Sequence, residues 1–170
     1  ILEEFVRKYP TIDGLIFDRV RYDDIWADFS DLSRKQFEEY AGVKVERFPE
    51  EIMTWRECED GKWRHTPGVY FNKWIEYRAM TIKTFIEEAH SRIHAINPKL
   101  MLGDYTGAWY PTYYYVGVNW ASTSYDPSKE FEWATPEYKN SGYADLLDIY
   151  MTGLYYTPLT KREVDNFFPK

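Results

Sequence analysis

Cysteine is nearly absent from this 170-residue chain: Cys58 is alone, which excludes an internal disulfide and any cysteine-based zinc cluster. Histidine is almost as scarce. Of His65, His90 and His94, the last two are four apart on a helical stretch, but no glutamate stands between them in the His-Glu-x-x-His sense, so no metal is expected. No Gly-x-Gly-x-x-Gly or Walker-type loop occurs, and no cofactor is expected. Long apolar runs are missing too: none approaches the roughly 20 residues needed to span a bilayer, and no signal-type apolar region opens the chain. Basic residues form no block. With 21 Lys and Arg against 28 Asp and Glu, a net charge of -7, a nucleic-acid backbone would meet mostly repulsion. An initiator methionine is also lacking, and Ile1 to Tyr9 reads as the end of a helix, so the chain is expected to be a fragment of a longer one.

Aromatic residues are abundant instead, at 19% of the chain, with 7 Trp, 16 Tyr and 10 Phe. Tyr and Trp carry polar handles and favour surfaces that are half apolar and half wet. Sugar rings offer such a surface, with apolar C–H faces and a hydroxyl rim. A tyrosine-rich core and interface account for the composition slightly better.

Ile12 to Asp18 is a short apolar run after a helical segment and reads as a buried parallel strand with Asp18 at its end. Arg19 to Phe29 reads as a loop. Ser33-Arg34-Lys35-Gln36 fits a capping box, opening a helix that Gly42 stops near Ala41. From Val43 to Tyr70 no period is sustained, which marks a long excursion. Asn72 then opens the clearest helix, with Ile75, Ala79, Ile82, Ile86, Ala89, Ile93 and Ile96 on one face and Asn97-Pro98 as its stop. Lys99 to Asp104 repeats the apolar strand ending on a carboxylate, and a second aromatic excursion follows it. Thr135-Pro136 predicts another helix start, Ile149 to Tyr156 a third strand, and Thr160-Lys161-Arg162-Glu163 a further capping box. Alternating helices and strands argue for a parallel sheet. Tight helix-to-strand connections and long post-strand insertions, at about 19–70 and 105–134, place function at the C-terminal ends of the strands.

Glycoside hydrolysis needs two carboxyl groups flanking one bond, about 5–5.5 Å apart for retention or 6.5–9.5 Å for inversion. Asp18 and Asp104, each ending a core strand, are the candidate pair, although each equally suits a turn cap or an arginine partner. Arg21 and Tyr22, with Arg19, follow Asp18 closely enough to orient it. Arg78, on the apolar face of the long helix, suits a buried ion pair. Trp109, Tyr110, Trp120 and Trp133 in the insertions are the candidate sugar-stacking rings, with Tyr155 and Tyr156 at the end of the third strand lining the same pocket. Asp148 begins that strand and points to the opposite end.

The segment Asp13-Gly14-Leu15-Ile16-Phe17-Asp18-Arg19-Val20-Arg21-Tyr22 resembles the Asp-Gly to Arg-Tyr strand of the glycosyl hydrolase-like family ten proteins, relatives of the α-amylase type and other barrel glycosidases. Trp74 to Ala79 and Leu147 to Tyr156 are similar to later segments of that group. The resemblance implies an α/β fold of the parallel (β/α) TIM-barrel type. At 170 residues against the roughly 250 of a full barrel, it would be an incomplete barrel or a piece of one, forming one partial catalytic-type domain over residues 1–170. It further implies a secreted, periplasmic or cell-surface protein and a poly- or oligosaccharide substrate. Asp18 matches the family's strand-end aspartate; where barrel amylases carry a glutamate acid on the next strand, this chain has Asp104. A glycoside hydrolase is therefore the expectation, with a non-catalytic carbohydrate-binding or scaffold domain of a surface polysaccharide-utilisation protein as the alternative.

Overall fold

The computed structural model describes residues 1–153 and 160–163. In chain order its elements are α1 (Leu2–Lys8), β1 (Gly14–Asp18), α2 (Asp31–Ala41), β2 (Met53–Glu57), β3 (Trp63–Pro67) and α3 (Phe71–Ile96). They are followed by β4 (Met101–Gly107), a single helical turn α4 (Tyr110–Tyr113), 3₁₀ turns between residues 114 and 146, and β5 (Ile149–Gly153).

The apolar runs form parallel strands, as expected, but they do not form a barrel. Among the described residues, one sheet has three strands in the order β1-β4-β5, and a second consists of the antiparallel pair β2-β3. A barrel requires its outer strands to close on each other, whereas β1 and β5 are both edges here. The result is a small mixed α/β fold. Alternating strands and helices are shared by open and closed sheets, so that pattern could not separate the two. The hairpin arises inside the stretch that lacked a sustained period. Its signal was Asp60-Gly61: Gly61, at φ 73, completes a tight reversal in which the Cys58 N–H donates to the Lys62 carbonyl at 2.9 Å.

Helix α3 covers one face of the parallel sheet. Ile93 packs with Leu100, Leu102 and Val6, against Leu15 and Phe17. Ile16, Met101 and Met151 lie on the opposite face and are exposed. The periodic stripe of α3 is buried as its spacing predicts, but from Trp74 to Ala79 the helix is buried on every side. Length explains this. Twenty-six residues extend about 39 Å, while the seven of β4 extend only about 23 Å. The N-terminal part of α3 therefore overhangs the sheet, and the excursions wrap it. Phe37, Val45, Ile52 and Trp74 form one cluster around it; Ile25, Met53, Phe71 and Ile75 form another, with Trp133 packed against it. Much of the unusual aromatic content is spent on this packing.

Two charged side chains lie within the overhang. Glu76 accepts from Tyr40 Oη at 2.5 Å, from Lys73 Nζ at 2.6 Å and from Thr135 Oγ1, tying α2 and the 3₁₀ region to α3. Arg78 is fully buried. Contrary to the expected ion pair, its guanidinium donates to the Tyr115 carbonyl at 3.2 Å and the Asp24 carbonyl at 2.5 Å, and lies 4.3 Å from the centre of the Tyr22 ring. Burial without a contacting carboxylate lowers its pKa to about 10.

Element boundaries shift where side chains decide them. Helix α2 starts before the expected cap, because Ser30 Oγ accepts from the Ser33 N–H at 3.2 Å while the Ser33 hydroxyl donates to Asp28. Gly42, at φ 65, ends it as predicted. The helix expected after Thr135-Pro136 is replaced by 3₁₀ turns, with the buried Ser141 hydroxyl donating to the Tyr138 carbonyl at 2.7 Å. Strand β4 runs three residues past Asp104, to Gly107. Asp148 links β5 to the base of β4: its N–H donates to the Leu102 carbonyl at 2.8 Å, and its Oδ2 accepts from the Leu102 N–H at 2.9 Å. Thr160 and Glu163 make the reciprocal bonds of the predicted capping box, at 2.8 and 3.3 Å.

Trp74, 1% exposed, meets the rings of Phe29, Phe37, Phe48 and Tyr77. Trp74→Ala is expected to lower stability by about 3–5 kcal/mol, read as a fall in the urea midpoint. An unchanged midpoint would show that the overhang does not contribute to the cooperative core.

Candidate functional site

A cavity of about 220 Å³ opens at the C-terminal ends of β1 and β4. Its walls include Arg19, Arg21, Asp104, Trp109, Tyr113 and Tyr143. The sheet end supplies Asp104, Thr106 and Gly107; the loop after β1 supplies the arginines; the loops after β4 supply the rings. Gly107 is needed there, since a Cβ at that position would fall 1.8 Å from the Tyr113 hydroxyl.

Register separates the two candidate carboxylates. Parallel pairing sets Phe17 opposite Asp104 and Asp18 opposite Tyr105. Residues opposite one another share a face and neighbours along a strand alternate, so Asp18 and Asp104 project to opposite faces. Asp104 lies on the face covered by α3 and is 2% exposed; Asp18 is exposed and does not line the cavity. The step from Asp18 into the loop is abrupt. Arg19 has φ 62, a left-handed conformation uncommon for a non-glycine residue, and it ends β1.

Asp104 is the most unusual group in the cavity. The Tyr143 hydroxyl donates to its Oδ2 at 2.7 Å, while its Oδ1 is buried and has no hydrogen-bond partner among the described residues. Burial pushes the carboxyl pKa up; the Tyr143 hydroxyl and the neighbouring Tyr105 amide oppose the shift, and the negative charge of Asp18 adds to it. Tyr143 is itself pushed far upward by burial and by Asp104, so it remains a proton donor.

The other expected site residues are placed as follows. Arg21 and Trp109 line the cavity with Asp104. Tyr22 does not; its ring carries the Arg78 guanidinium, and Gly117, at φ 70, packs on it. Tyr110 and Trp120 pack edge to face at 5.0 Å away from the cavity, and the Tyr110 hydroxyl donates to Asn119 Oδ1 at 2.9 Å. Trp133 stacks on Tyr114 and Phe131 beside the overhang. Tyr155 and Tyr156 lie outside the described residues. Tyr143 and Tyr113 were not singled out from the sequence as partners of Asp104. Tyr143 falls in a stretch read as broken helix, and nothing in its local pattern links it to a strand 39 residues away. Among the described residues no three of His, Cys, Asp and Glu converge as metal ligands, and no helix is long and apolar enough to cross a membrane.

Because Asp104 holds its proton to higher pH when folded, the folded chain binds more protons than the unfolded chain between the ordinary value of 3.8 and the raised one. Stability therefore falls as pH rises through that window: the contribution is full below 3.8 and lost above the folded value. Asp104→Asn keeps an acceptor for Tyr143 and removes the titration. The stability of the parent relative to this variant is expected to decline from acid toward neutral pH in urea titrations; a difference independent of pH would refute the assignment.

No protein-family model matches the chain, and no solved structure matches it, so no likeness to a barrel supports the expected fold. The chain is similar to an S-layer-related protein of Niallia circulans, with 34% identity over 178 aligned positions that cover 98% of this chain. Those positions cover 10% of that protein, so the chain spans about a tenth of its length.

Proposed function

We propose that this chain is a saccharide-binding domain of a cell-surface protein and that its site is the cavity beside Asp104. One observation carries the reading: a buried carboxyl with an oxygen unpartnered among the described residues shares a small cavity with Trp109 and Tyr113. An indole or phenol face packs on the C–H side of a pyranose, and a buried acceptor without a partner is satisfied by a sugar hydroxyl. A cavity of about 220 Å³ suits one sugar ring better than a long chain laid in a cleft. The similarity to an S-layer-related protein supports a location at the cell surface.

A second reading, glycoside hydrolysis, draws on the raised pKa of Asp104 and on the charge of Asp18 acting on it. In that reading Asp104 is the general acid and Asp18 the nucleophile or base. The opposed faces of the two residues weigh against it.

Titration of the chain with a panel of neutral and acidic oligosaccharides, followed by NMR, tests both readings. Binding is expected, and Trp109→Ala should weaken it about tenfold, equivalent to about 1.4 kcal/mol. Absence of binding by the parent chain sinks the proposal. Reducing-end release from the same panel, abolished by Asp104→Asn, would establish hydrolysis in its place.

A further inference from the structure

We infer that the cavity selects an anionic sugar, a uronate or another carboxylate-bearing pyranose, held through Arg19 and Arg21; this rests on the saccharide-binding reading above. The charge of the cavity is opposite to that of the chain. Across the sequence acidic residues outnumber basic ones and the net charge is -7, yet the charged side chains lining the cavity are Arg19, Arg21 and Asp104. Neither arginine has a carboxylate within ion-pairing distance among the described residues, although both line the cavity with Asp104. Several cations elsewhere are paired, among them Arg34 with Glu38, Arg64 with Asp60, Lys73 with Glu76 and Arg92 with Glu88. Two unpaired guanidiniums at one opening form a planar, donor-rich receptor for a carboxylate.

The backbone supports this placement. Arg19 is the one described non-glycine residue with positive φ, at 62°. A long side chain held in a conformation that glycine would adopt without cost is strain, and strain at a cavity wall is retained where the side chain is used. The facing acids fit the same picture. Burial disfavours the charged form of Asp104, and Asp18 points away on the far face. A sugar carboxylate at the arginines leaves the ring hydroxyls to meet Asp104 Oδ1 and the ring face to meet Trp109.

The test compares methyl β-glucuronide, methyl β-glucoside and sodium sulfate on the purified chain by NMR titration at low and moderate salt. The glucuronide is expected to bind about tenfold more tightly than the glucoside, with the advantage shrinking as salt screens the arginines. Arg21→Gln should remove most of that preference while leaving glucoside binding in place. Arg19→Gly should raise the urea midpoint, because it relieves the positive φ, and yet lower glucuronide affinity; this separates a binding role from a folding role. Equal affinity for glucuronide and glucoside overturns the anionic inference and leaves saccharide binding standing. Sulfate binding without either sugar overturns saccharide binding and leaves an anion site. No binding of any probe overturns both.

Discussion

Helix α3 is longer than the sheet it covers, and the rest of the fold follows from that mismatch. Its C-terminal part supplies the apolar stripe that β1 and β4 need. Its N-terminal part extends beyond the strand ends with nothing of the sheet to pack on. A helix cannot keep Trp74, Ile75 and Ala79 in water, so the two long excursions fold around it: α2 and the hairpin on one side, the 3₁₀ region on the other. The loops after β1 and β4 are thereby held against a rigid post. That post fixes the cavity at the strand ends, because Ile82 and Ile86 pack with Tyr113, Val118 and Tyr143, and the last of these holds Asp104.

Polar groups give the overhang a single arrangement. Apolar packing alone tolerates sliding of one aromatic ring over another, but Glu76 and Arg78 do not. Glu76 accepts from groups on α2, on α3 and in the 3₁₀ region at once. Arg78 spends its donors on backbone carbonyls from both excursions, at Asp24 and Tyr115, with Tyr22 covering its face. A guanidinium left without those carbonyls would be a buried charge with nothing to offset its desolvation. The loop that carries Arg19 and Arg21 is therefore anchored three residues on, by Asp24, to the middle of α3.

The elements that local pattern controls were legible in the sequence: the stripe from Ile75 to Ile96, the stop at Asn97-Pro98, the glycine cap at Gly42 and the apolar strands themselves. Sheet closure was not, because alternating strands and helices carry no record of which strands become edges. The burial of Arg78 was foreseen but its partners were not, since carbonyls and a ring leave no charge pattern to match. The aromatic insertions were read as a rim around a site; many of them instead wrap α3, and among the described candidate rings Trp109 reaches the cavity. Tyr143 escaped notice because its bond to Asp104 depends on how the chain returns after the 3₁₀ turns.

Register, more than strand-end position, decides the chemistry open to this site. Two carboxylates on neighbouring parallel strands can flank one bond only if they share a face. Here a shift of one residue assigns Asp18 to the face of Tyr105 and Asp104 to the face beneath α3. Extending β4 to Gly107 moves Asp104 inside the strand, where burial favours its neutral form and Tyr143 supports its orientation. The left-handed turn at Arg19 ends β1 and lets the loop carry Arg19 and Arg21 to the cavity wall, while Asp18 stays on the far face. An acid whose charged form burial disfavours, two arginines without an ion pair among the described residues and an aromatic wall then occupy the place where Asp18 and Asp104 were expected to face each other as base and acid.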